Sequence, residues 1–162
     1  MGATSKSKQS NLYFTKKAVR LINFANYQEH TDPIFKELKI LKVMDIIKMR
    51  NVLFVHNILN LNVPKHFDNL ILIRNTQHSH RTINNPNSLF SIPQGSVLLP
   101  ESKSKIGKQS IKYLCAITWN EILKSLSSVR QKEGKTYKQN WMKEMSINTL
   151  KYMISELFVN SY

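Results

Sequence analysis

The segment DPIFKELKILKVMDIIKMRNVLFVHNILNLNVP, Asp32 to Pro64, constrains this chain more than any other stretch. Asp32 can accept from the first unbonded N–H groups of a helix and Pro33 has its φ already set for a first turn, so a short helix is predicted from Asp32 to Leu38. A second start near Lys42 leads into Val43, Ile46, Ile47, Arg50, Leu53, Phe54, Asn57 and Ile58. Their three- and four-residue spacing gathers an apolar stripe on one face, which must find cover. Pro64 cannot donate a backbone hydrogen bond and holds Val63 extended, so this helix should end before it. His56, beside Phe54, Val55 and Ile58, is expected to be a partly buried structural residue.

The flanking regions extend a mainly α reading: a small helical domain with a loop-rich middle and room for one or two short strands. Residues 1–10 are polar and basic and are expected to be a flexible start to a single domain over 11–162, with helical parts at 11–63 and 113–159 and loops over 64–112. In Asn11–Ala25, the residues Phe14, Ala18, Leu21, Ile22 and Ala25 suit one helical face, while Lys16, Lys17 and Arg20 point largely elsewhere. Pro64, Pro86, Pro93, Pro100, Asn84-Asn85 and Gly95 interrupt regular structure repeatedly. The run Leu70–Ile73 suits a buried strand or a helix end equally. Ile111, Tyr113 and Cys115 alternate as in a half-buried strand, before a short helix over Ala116–Leu123 with Trp119 in the core. Ser125–Thr136 reads as a polar hinge. Tyr137–Val159 reads as one or two helices, with Ser146 as an internal cap.

Charge narrows the partners. The 162 residues carry a formal net charge of +14 and a pI near 10.0, which favours a polyanion, with nucleic acid ahead of an acidic membrane surface. The bland alternative is a solvated basic face. Lys103, Lys105, Lys108 and Lys112 form the densest basic run, and Tyr113 follows directly. Cations interleaved with an aromatic suit single-stranded nucleic acid, where the cations follow phosphates and rings stack on bases. Lys16, Lys17, Arg20, Lys103, Lys105, Lys108 and Lys112 are therefore the expected phosphate contacts, with Tyr113 as a candidate stacking residue.

Other classes lose ground. A single cysteine, Cys115, allows no internal disulfide and no multi-cysteine zinc site. The start shows no apolar core of a signal peptide and no run of about 20 apolar residues crosses a membrane, so a nuclear or cytoplasmic location without membrane contact is expected. The ten Asp and Glu residues include no adjacent pair, whereas a metal-dependent polymerase holds its two ions with paired aspartates. No Gly-rich phosphate loop is present. His78 and His80 in Gln77–Thr82 could share a metal from an extended segment, but the nearest carboxylate in sequence, Asp68, is distant. The expectation is no enzyme, no cofactor and no metal site, with a small metal nuclease using His78 and His80 as a weaker option.

Four blocks, Lys16–Ile22 (KKAVRLI), His30–Ile47 (HTDPIFKELKILKVMDI), Gly107–Asn120 (GKQSIKYLCAITWN) and Val159–Tyr162 (VNSY), together resemble, in order, the segment that follows the polymerase core in jockey-like non-LTR (LINE-type) retrotransposon reverse transcriptases. The resemblance covers most of the chain. It implies the thumb and carboxy-terminal extension, where helices hold primer–template behind an active site that this chain lacks. The family's His-x-Tyr-Asn-Thr-Arg-like turn is matched only loosely, by His78 and Arg81. The resulting expectation is a catalytically inactive nucleic-acid-binding module contacting RNA or an RNA–DNA hybrid through phosphates. The alternatives are a protein–protein adaptor, partnered or self-associated through the apolar faces of Asp32–Pro64 and Tyr137–Val159, and a retroelement relic without function.

Overall fold

A computed structural model describes residues 3–67, 70–72, 95–132 and 141–162. The protein is mainly α-helical, with α1 (Ala3–Ile22), α2 (Thr31–Glu37), α3 (Val43–Leu59), α4 (Ile111–Lys132), α5 (Trp141–Glu144) and α6 (Ile147–Ser161) among the described residues. Single 3-10 turns occupy Lys65–Phe67 and Gly107–Gln109. The chain divides into two compact units, Met1–Met49 with Ser155–Tyr162 and Arg50–Ile154, so α3 and α6 each contribute to both.

In the first unit, α1 packs on α2. Val19, Ile34 and Phe35 are buried together, and Ala25, Leu38 and Tyr162 pack against them. Helix α1 begins at Ala3, earlier than the expected Asn11, and ends three residues before Ala25. Its buried side is Val19, while Phe14, Leu21 and Ile22 of the expected apolar face are exposed. In α2 the cap also differs from expectation. His30 occupies the N-cap position with extended backbone and no side-chain cap bond, and Thr31 is the first helical residue. Asp32 instead lies in the first turn, where its charge suits the helix dipole, and it pairs with Lys42 at 3.0 Å. Pro33 sits among the first four residues of the helix, whose N–H groups have no intrahelical partner, so its missing donor costs nothing.

Three helices stop in the same way. At α1, the Ala25 N–H reaches the Arg20 carbonyl (2.9 Å) and the Phe24 N–H that of Leu21 (3.4 Å). At α2 and α3 the equivalent bonds run Ile40 to Phe35 (3.0 Å) and Asn62 to Asn57 (2.9 Å). These are Schellman turns, and the residue at the left-handed position is ordinarily glycine. Here it is Phe24, Lys39 and Leu61, with φ of 50°, 52° and 56°, each carrying a cost of about 1–2 kcal/mol for its Cβ. The end of α3 is therefore set at Leu59 by the turn at Leu61, ahead of Pro64.

The second unit is built on α4, which runs unbroken for 22 residues. The strand alternation at Ile111–Cys115 is thereby overturned, as is the hinge over residues 125–132; residues 133–140 lie outside the described residues. Cys115, Ala116, Trp119, Ile122, Leu123 and Leu126 are buried at helical spacing, a pattern that explains why three alternating residues misled. Ser110 caps the helix, its Oγ accepting from the Tyr113 N–H at 3.3 Å. The Trp119 indole N–H donates to the Gly95 carbonyl at 3.0 Å. Gly95 has φ of 87°, open to glycine alone without strain. The Asn120 amide accepts from the Val97 N–H (2.9 Å) and donates to its carbonyl (3.0 Å), as a neighbouring strand would. Leu98 N–H reaches Leu72 O at 2.8 Å, but no strand forms among the described residues. On α3 the buried residues of this unit are Val52, Val55, His56, Ile58 and Leu59. Ser146 caps α6 as expected, accepting from the Thr149 N–H at 3.1 Å.

Candidate functional site

The expected phosphate contacts fall into one set on each unit. On α1, Lys16 and Lys17 are exposed and Arg20 half-buried. The Arg20 Nε–H donates to the Glu29 carbonyl (2.9 Å), and Glu29 Oε2 accepts from the Asn26 N–H (3.2 Å), so the loop after α1 is folded back on the helix. Tyr13 and Tyr27 join their hydroxyls at 3.0 Å across the same loop. That bond to Tyr13 holds the Tyr27 phenol above the usual tyrosine value, against the fields of Lys17 and Arg20. Around these cations Phe14 and Tyr13 are exposed, with rings edge to face at 6.0 Å, and Phe24 is 98 % exposed. None of these aromatics stood among the expected site residues; the alternation of Lys or Arg with Tyr and Phe over residues 13–27 was the available signal.

A cavity of about 440 Å³ in this unit is lined by Thr15, Lys16, Asp32, Phe35, Lys42 and Tyr162, among others. Its organising group is the Tyr162 phenol. The hydroxyl donates to Asp45 Oδ2 at 2.6 Å and accepts from the Lys42 N–H at 2.9 Å. Lys42 is the residue before α3, and a carboxylate three residues into a helix often reaches back to that N–H. Tyr162 stands between the two and relays the cap. Lys42 Nζ lies 4.1 Å from the Tyr162 ring centroid and 5.9 Å from that of Phe35. Burial and the Asp45 carboxylate push the Tyr162 hydroxyl far above its ordinary pKa, so it remains protonated. Local sequence gave no sign of this hub, because its partners lie 117 and 120 residues away.

In the second unit, Lys103, Lys105 and Lys108 are exposed along the approach to α4, and Lys112 is exposed in its first turn. Gly107 tightens that approach. Its N–H donates to Ser104 Oγ at 3.0 Å, and a Cβ there would collide with the Ser102 hydroxyl. Ile106, between the lysines, is exposed. Tyr113 is half-buried on α4, so only part of its ring is open to a base. A second cavity, about 460 Å³, is lined by His56, Asn60, Lys143, Glu144 and Ser146 among others. His56 is buried and structural there, its Nε2–H donating to the Met145 carbonyl at 3.0 Å. The Asn60 amide donates to the His56 and Lys143 carbonyls at 2.9 and 3.1 Å.

Among the described residues no three His, Cys, Asp or Glu side chains are placed to hold a metal ion; His78, His80 and Arg81 lie outside them. No helix of the described residues is long and apolar enough to cross a membrane. No protein-family model, curated protein or solved structure matches the chain. The identity implied by the four blocks is corrected accordingly, and retrotransposon, non-LTR and reverse transcriptase are withdrawn as descriptions of this chain. Two of the blocks contribute to the packing of the first unit. Thr31, Ile34 and Phe35 are buried in the first unit, and Lys42, Asp45 and Tyr162 form its hydrogen-bonded hub.

Proposed function

We propose that this chain is a helical nucleic-acid-binding module that holds RNA or an RNA–DNA hybrid by its phosphates, in the nucleus or cytoplasm, and performs no chemistry on it. The observation that carries this reading is the set of exposed lysines at 103, 105, 108 and 112, none with an ion-pair partner among the described residues, on a chain of net charge +14. Such cations keep their charge for a ligand. Phosphates would displace counterions from them, and affinity would fall with salt by roughly 0.7–0.9 log units per contact for each log unit of salt. No group that reads base edges is part of the reading, so affinity without base preference is expected.

The test is a salt series with labelled single-stranded RNA, duplex DNA and an RNA–DNA hybrid. Reversing Lys103, Lys105, Lys108 and Lys112 to Glu should weaken binding and flatten the salt slope by about three units. An unchanged slope, or no binding of the native chain at moderate salt, would overturn the reading. A protein–protein adaptor is favoured by a different observation. Of the α3 stripe first suited to it only Ile58 is buried and Ile47 is exposed, the covered side being Val52, Val55 and Ile58; on α6 Leu150, Ile154 and Phe158 are buried, and α1 exposes Phe14, Leu21 and Ile22. That alternative predicts self-association or a stable protein complex lost on substituting those three residues.

A further inference from the structure

Helix α1 is covered on one side. Val19 is its buried anchor, while Tyr13, Phe14, Lys17 and Leu21 are exposed at three- and four-residue spacing, and Phe24 stands just past the last turn. Phe24 is the most informative of them. It is 98 % exposed and its φ of 50° lies in the left-handed region, so neither packing nor backbone geometry favours a phenylalanine there. The same turn is made by Lys39 and Leu61, so it is the unshielded aromatic surface of Phe24 beside the cations of α1 that points to a ligand.

We propose that this face of α1 is a stacking platform for unpaired bases of a single-stranded nucleic acid, with Phe14 and Phe24 taking bases while Lys17 and Arg20 neutralise the phosphates between them. The inference rests on the nucleic-acid reading above and deepens it by naming the strand state and the residues that select it. Charge complementarity chooses the occupant. Lys17 sits between Tyr13 and Phe14 on one side and Leu21 on the other, so an apolar protein face would have to strip water from an ammonium at its centre. A bilayer interface wants an apolar face with cations at its margins, and Lys17 interrupts that face. Single-stranded nucleic acid offers alternating rings and charges, which is the pattern on α1. A duplex offers the charges but keeps its bases stacked away from the rings.

Phe24→Gly is the deciding variant because it removes the ring while relieving the backbone, so weaker binding cannot be ascribed to a damaged fold. In the full chain it should raise the melting temperature, lower affinity for single-stranded RNA about tenfold or more, and leave both duplex affinity and the salt slope unchanged. Phe14→Ala should act in the same direction, whereas Lys17→Glu should weaken single-strand and duplex binding together. If Phe24→Gly and Phe14→Ala leave single-strand affinity unaltered, or lower both affinities equally, the platform is refuted and the charge-based reading survives. If the native chain binds neither form at low salt, both are refuted. Tighter association with vesicles of anionic lipid than with single strands, lost in Phe24→Gly, would assign the face to a membrane surface and overturn the proposal.

Discussion

Helices α1 and α4 are close in length, 20 and 22 residues, and each carries a lysine proposed to meet phosphates, Lys17 and Lys112. Their surroundings differ. Helix α4 buries Cys115, Ala116, Trp119, Ile122, Leu123 and Leu126, whereas α1 buries only Val19 among residues 13–22. Helices of this length owe most of their stability in water to an apolar face packed on a partner. The contrast teaches that apolar residues at helical spacing predict a helix more securely than they predict what covers it. On α4 the stripe is core. On α1 it remains available, and the helix is held at its anchor and at the loop that folds back on it.

The contrast can be broken most directly at Trp119. Trp119→Ala removes a side chain that is 1 % exposed and leaves the Gly95 carbonyl without its donor. It should cost about 3–5 kcal/mol in urea unfolding, while Phe14→Ala on α1 should stay within about 0.5 kcal/mol. Comparable losses at the two sites would mean that α1 is covered by something in solution. A smaller effect is expected at the hub of the first unit. Tyr162→Phe deletes the hydroxyl between Asp45 and the Lys42 N–H and should cost about 1–2 kcal/mol, moderated because Asp45 can reach that N–H itself. Asp45→Asn in the same background separates the cases, since an additive loss would deny that the two groups act as one cap.

The gentlest probe is Cys115. Burial pushes its thiol up to about 11, so the folded state holds the proton where an unfolded thiol would already release it. Its stabilising contribution is complete below the unfolded value and is lost as pH rises toward the folded one. The native chain should therefore lose more stability than Cys115→Ala between about pH 8 and about pH 10.5. Equal losses would show that the thiol is not shielded. In the folded protein Cys115 should also react slowly with thiol reagents, since little thiolate is present or accessible.

Ser146 is an instance of what local sequence can state. A hydroxyl ahead of an apolar-periodic run announces a helix start, and it caps α6. Lys42 onward into α3, the core place of Trp119 and the structural place of His56 were legible for similar reasons, because spacing and residue type act within a few residues. The helix stops were not. Phe24, Lys39 and Leu61 occupy left-handed positions without glycine, so nothing in composition marked them. The cap expected at Asp32 was misplaced because several residues there fit a helix start; the helix begins at Thr31 with His30 at the N-cap, and Asp32 lies in the first turn, paired with Lys42.

Composition and order alone determined the mainly helical class, the excess of positive charge, the lone cysteine and the positions of the basic runs, since these follow from residue identity and local periodicity. Tertiary structure decided which apolar stripes are covered, that Tyr162 completes the cap of a helix 117 residues earlier, and that the aromatics of α1 stand exposed beside its cations. The physical reason is that covering a face requires a partner from elsewhere in the chain. Local periodicity can call for such a partner without specifying it.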